Sequence, residues 1–161
     1  MACSLPTGPA RLTAGGALVV VFLSLVGCSD GGPKVVPVSG IVTIDGQPLT
    51  YGHIQVLPTG WRPASSRIGS DGRFMLTTTV SGDGCAVGTH PVAILAGESI
   101  STEATKWHAP KKYADSKTSN LTVTITGPTN DLKVELTWSG GKPFTEKFER
   151  EGGTELQGLG K

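Results

Sequence analysis

Strict alternation of apolar and polar residues limits this chain to β structure. Leu121, Val123 and Ile125 alternate with Thr122, Thr124 and Thr126; Leu132, Val134, Leu136 and Trp138 alternate with Lys133, Glu135 and Thr137. A period of two sends successive side chains to opposite faces, one built for a core and one for water. With Gly127-Pro128-Thr129-Asn130 as the turn, the pair reads as a hairpin whose core face continues to Trp138. The same period runs through Val36, Val38, Val42 and Ile44, through Ile54 and Val56, and through Phe74 and Leu76. Asp45-Gly46, Ser70-Asp71-Gly72-Arg73 and Ser81-Gly82-Asp83-Gly84 supply turn chemistry between them. Residues 64–68 fit one more short strand, and the apolar run 91–96 a buried one. The expectation is an all-β fold, a single antiparallel β-sandwich of about six to seven strands.

A length of 161 residues leaves room for one such domain. With 23 Gly and 11 Pro and no Gly-X-Y period, the composition favours many turns and excludes collagen. A net charge of +1 offers no basic face for nucleic acid. Residues 97–120 lack the period of two; 99–106 read as a helical turn or two, ended by Trp107-His108-Ala109-Pro110. A connection that long in a small domain is functional or poorly ordered. Residues 139–161 read as a flexible C-terminal tail, since the last stretch, EGGTELQGLGK, has too few apolar residues to offset its ordering entropy.

The N-terminus reads as an address. Residues 14–27 are apolar except Ser24, with Arg11 before them and Leu25-Val26-Gly27-Cys28 at their end. Fourteen residues are too few to span a bilayer and suit the core of a signal peptide. The ending resembles the lipobox of bacterial lipoproteins. That resemblance implies cleavage of signal peptide 1–27 and lipidation of Cys28. It also implies an envelope location, lipid-anchored to a membrane (an outer membrane or a periplasm-facing leaflet), with Ser29 favouring the outer membrane. Residues 28–35 then form the lipidated cysteine and its tether; seven extended residues reach only about 25 Å, so the sandwich, 36–138, would sit close to the bilayer. Cys85 would be the one free thiol left, which rules out an intramolecular disulfide.

The segments VSGIVTIDGQPLTYGHIQVLP, GSDGRFMLTT and GDGCAVGTHPVAI resemble, in order and spacing, the carboxypeptidase-regulatory-like domain, a transthyretin-like β-sandwich. Gly40, Val42, Asp45, Gly46, Pro48, Leu49, Asp71, Gly72, Phe74, Leu76, Gly88, Val92 and Ile94 carry the likeness, with His90 where Tyr is usual and Asn120 where Gly is common. Residues 110–136 are similar to uncharacterised small lipoproteins of this kind. The domain is a non-catalytic appendage in the enzymes that name the family, so the likeness implies a fold and no peptidase.

Chemistry is sparse. Asp45, Asp71 and Asp83 each adjoin glycine, which fits turns better than a shared calcium site. His53, His90 and His108 have no metal-ligand spacing, and in strands His53 and His90 are expected at polar-facing or edge positions. No nucleophile motif stands in a convincing context. No metal or cofactor is expected, and the chain reads as a non-enzymatic, lipid-anchored envelope protein, a structural or protein-interaction module. The alternative is a module for carbohydrate or cell-wall glycan. Under either reading Trp61, Arg62, Trp107, His108, Lys111, Lys112 and Tyr113 form the candidate ligand or partner patch, since aromatic and basic loop residues suit both.

Overall fold

The computed structural model describes residues 31–148; the segment expected to be a signal peptide (1–27), Cys28 and residues 149–161 lie outside the described residues. The strands are β1 (Val35–Val36), β2 (Val38–Ile44), β3 (Gln47–Pro48), β4 (His53–Val56), β5 (Ala64–Arg67), β6 (Arg73–Met75), β7 (Cys85–Ala86), β8 (Gly88–Leu95), β9 (Gly97–Ser101), β10 (Ala104–Trp107), β11 (Leu121–Ile125), β12 (Thr129–Leu136) and β13 (Phe144–Lys147). A 3-10 turn, Lys111–Ala114, and a short helix, α1 (Ser116–Ser119), separate β10 from β11. The fold is all-β, as the alternation requires.

Two sheets enclose the core. One is antiparallel, in the order β11-β8-β4-β5; the other runs β12-β2-β3, with β6 also on β2. Ile54, Val56, Val92, Ile94, Val123 and Ile125 from the first meet Val38, Val42, Phe74, Val134 and Leu136 from the second in one buried cluster. Reciprocal backbone hydrogen bonds between Ser65 and Thr77 tie the sheets together along one side. Asp45 and Gly46, at φ 48° and 80°, form the two-residue loop from Ile44 to Gln47. Positive φ at both positions is the requirement of the tight hairpin turn that Asp-Gly favours.

The pair 121–138 is not a hairpin. β11 lies antiparallel to β8, with Leu121 opposite Val92, whereas β12 lies parallel to β2, with Val134 opposite Val42. The chain crosses from one sheet to the other at 126–128. The reason is local. Tight hairpin turns need positive φ, proline holds φ near −65°, and no residue of 127–130 has a positive φ. Along the parallel pair the register shifts between Thr129 and Leu132, so that Leu132 stands opposite Gly40. A Cβ on Gly40 would collide with the Leu132 carbonyl.

Three further expectations change. Residues 99–106 are not helical: β9 and β10 form a hairpin with an irregularity between Ala104 and Thr105. Ile100, Thr102 and Thr105 are β-branched and lose side-chain freedom in a helix, and the Ser101 hydroxyl accepts the Glu103 amide to close the turn. The tail 139–161 is not wholly a tail, because β13 pairs with β10, Phe144 opposite Trp107. Trp138 falls beyond β12 and is half-buried at the margin, its ring edge-on to Phe144 at 6.5 Å. The result is a third sheet, β9-β10-β13, in which no residue of the three strands is buried.

Candidate interaction surfaces

The sandwich has two ends. At the entry end lie Gly32, the start of β1, and the loops 57–63, 76–84 and 126–128. At the far end lie the Asp45-Gly46 turn, Tyr51, the third sheet, and residues 108–113 and 137–143. The candidate residues divide between these ends. His53 stands opposite Leu95, close to where β9 begins, whereas Leu57 bonds Pro91 at the other end of β4. Trp61 and Arg62 therefore sit at the entry end, and Trp107, His108, Lys111, Lys112 and Tyr113 at the far end. They do not form one patch.

At the far end Trp107 is held from several sides. Its indole Nε1–H donates to Glu146 Oε2 at 3.0 Å, and Lys111 Nζ donates to Glu146 Oε1 at 2.8 Å. The Lys111 ammonium also stands over the indole, 5.4 Å from its centroid. A Cβ on Gly97 would touch the six-membered ring at 3.4 Å, so the indole lies against bare backbone there. On the opposite face of the sheet, His108 Nε2 and Glu98 Oε2 are 2.7 Å apart, and the Tyr51 ring stacks on the imidazole at 5.1 Å. Tyr113 is buried: its hydroxyl accepts from the Thr137 amide and donates to the Thr137 carbonyl, pinning the 3-10 turn to the end of β12. Lys112 lies over the Tyr113 ring, its Nζ 4.8 Å from the centroid. Glu98, Glu146, Tyr51 and Phe144 complete this end, and sequence reasoning missed all four. For Phe144 and Glu146 a signal existed: Phe144-Thr145-Glu146-Lys147-Phe148 alternates with a period of two.

The Lys111 ammonium, then the Trp107 indole N–H, hold the Glu146 carboxyl below its ordinary value of 4.5. A depressed carboxyl stabilises the fold above the unfolded value, and that contribution is lost as pH falls through the folded one. The clamp between β13 and β10 is therefore expected to persist below pH 4.5 and then open. The Trp107 indole proton resonance reports it: its titration midpoint should lie below 4.5 and rise toward the ordinary value in Lys111→Met.

At the entry end Trp61 is 36% exposed, with its amide donating to the Pro58 carbonyl at 3.4 Å. Its indole lies on Gly32, where a Cβ would collide with the ring. Arg62 beside it is exposed.

The other titratable groups are dispersed. His90 was expected at a polar or edge position, but it points inward on β8 with the parity of Val92 and Ile94, and is 8% exposed. Its ring fills the space over Gly88 and bonds the Ala86 carbonyl through Nε2 at 2.9 Å. A carbonyl only accepts, so Nε2 carries the proton. His53 is exposed on β4. Asp45 caps the Trp138 amide, Asp71 the Arg73 amide, and Asp83 the amides of Thr78, Thr79 and Val80. At Asp83 desolvation raises the pKa, but the backbone hydrogen bonds together outweigh it and hold the carboxyl low. Among the described residues no three metal-ligating side chains converge.

Cys85 is wholly buried, and burial pushes its thiol up to about 11. Folding opposes the thiolate, so stability should decline as pH rises above 9 toward 11. In a chain with Cys3→Ser and Cys28→Ser, native protein at pH 8 is expected to resist iodoacetamide, and urea-unfolded protein to react at the rate of a free thiol.

No family model, curated protein or solved structure matches this chain. Among the described residues no helix is long and apolar enough to cross a membrane.

Proposed function

We propose that the chain is a non-enzymatic, lipid-anchored cell-envelope protein whose sandwich is a structural or protein-interaction module. The signal-peptide pattern ending at Cys28, and the likeness of residues 38–94 to carboxypeptidase-regulatory-like domains, support that placement. The observation that carries the interaction role is the third sheet. β9-β10-β13 extends from the sandwich with no buried residue in its strands, yet Glu146, Trp107 and Lys111 brace it. It presents Ile100 at 53% exposure and Phe144 at 42%. Small sheets without a packed apolar face are marginal in water, so a braced one with exposed apolar residues suits a contact surface. The non-enzymatic reading rests on how the polar groups are used. His90, His108 and the three turn aspartates each hold a neighbouring part of the fold.

Glycan binding, the alternative, asks for an open aromatic face. Trp107 lies between Gly97 and the Lys111 ammonium and Tyr113 is buried, which favours protein contact. A photo-crosslinking residue at position 100 or 144 is expected to capture the same envelope protein, and one at Thr124 on β11 is not. Equal capture from all three positions, or none, overturns the assignment of this sheet. Saturable binding of cell-wall glycan lost in Trp61→Ala would favour the alternative.

A further inference from the structure

We propose that the entry end of the sandwich lies on the lipid surface, with Trp61 set into the interface and Lys34 and Arg62 facing anionic headgroups. This rests on the reading of Cys28 as the lipidated residue. The partner is identified by three observations.

The first is chain length. Trp61 packs on Gly32, and Gly32 lies four Cα–Cα steps from Cys28, with Ser29, Asp30 and Gly31 between them. That much chain spans at most ~14 Å, so an acylated Cys28 keeps this end within reach of the headgroup layer.

The second is the chemistry collected there. Trp61 is 36% exposed, Val87 37% and Val80 67%, and they come from three different segments. The Val87 amide bonds the Lys34 carbonyl, which sets Val87 beside the entering chain. The Leu76 amide bonds the Val38 carbonyl and the Gly84 amide the Leu76 carbonyl, which sets the loop bearing Val80 at the same end. A partly exposed indole beside scattered aliphatic side chains suits the boundary of headgroup and acyl chain, where Trp is enriched.

The third is charge. Segments 31–37 and 57–63 contain Lys34 and Arg62 and no acid. Asp83 turns its carboxylate onto the amides of its own loop, and Asp131 accepts the Thr129 hydroxyl at 2.6 Å. Asp30, in the tether, is the acid nearest in sequence. Two cations alone would not recruit a soluble domain. Tethering changes this, because contact with the bilayer becomes intramolecular and a weak surface is then occupied.

The test uses the full chain purified with its native N-terminus. It is reconstituted in vesicles of phosphatidylethanolamine and phosphatidylglycerol with brominated acyl chains, which quench tryptophans at the interface. The N-terminal peptide is weighed from the same sample. The expected result is an acyl mass on Cys28 and a quenched component of the emission that disappears in Trp61→Phe. That component should fall at least twofold in Lys34→Glu/Arg62→Glu, and when phosphatidylcholine replaces phosphatidylglycerol. An acyl mass on Cys28 with equal quenching in wild type and Trp61→Phe overturns the surface contact and leaves the anchor standing. Quenching through Trp61 that ignores both charge changes overturns the part given to Lys34 and Arg62. A Cys28 peptide without acyl mass overturns the anchor, and this inference with it.

Discussion

Gly40→Ala is expected to cost about 3 kcal/mol or more, read as a fall in the urea midpoint with the slope unchanged. The methyl would meet the backbone carbonyl of Leu132, which the parallel ladder between β2 and β12 holds in place. A flexible side chain could turn aside; a paired backbone cannot. Two other glycines separate the terms. At Gly46 nothing lies within 4 Å of an added Cβ but φ is +80°, so Gly46→Ala should show backbone strain alone, about 1 kcal/mol. At Gly127 nothing lies within 4 Å and φ is not positive, so Gly127→Ala should be near neutral. Equal effects at all three positions would mean that the parallel pairing is wrong.

Ile54→Ala is the second large effect, about 2–5 kcal/mol. Ile54 is fully buried on β4, between β8 and β5, and truncation leaves a cavity that packed neighbours fill only in part. Ile100→Ala makes the same chemical change on a residue 53% exposed and should stay within about 0.5 kcal/mol. Denaturant melts of the two variants check both values. If Ile100→Ala proves as costly as Ile54→Ala, the third sheet has a core of its own and its role as an open surface fails.

These two substitutions mark what was legible in the sequence. Alternation reports which face of a strand is buried, and the inward parity of Val38, Val42, Ile54, Val56, Phe74, Leu76, Val123 and Val134 follows it. Turn chemistry reports a local backbone, and Asp45-Gly46 forms the loop its residues favour. Neither signal reports which strands are neighbours. β11 and β12 have matching alternation and a short link, yet both faces remain satisfied when the link passes between the sheets. Pro128 is the residue that should have argued against a hairpin. The site was less legible still. Trp107, His108 and Lys111 were visible as unusual loop residues, but what fixes them are Glu146, 39 residues after Trp107, and Glu98, ten before His108. The distance from Trp61 to Trp107 is likewise a matter of which end of β4 each adjoins, which one-dimensional spacing does not encode.

The parallel ladder of β2 and β12 also sets the order of events when the chain folds. Val38 finds Thr129 and Ile44 finds Leu136 across most of the domain, so the second sheet stays incomplete until β12 has been made. Closing a loop of that length before any of its contacts form is the slow step in folds of high contact order, which take milliseconds to seconds. A chain emerging N-terminus first therefore leaves one edge of β2, the one away from β3 and β6, unpaired until β12 follows. The late strand thus acts as a latch: the fold closes only after most of the chain has been made.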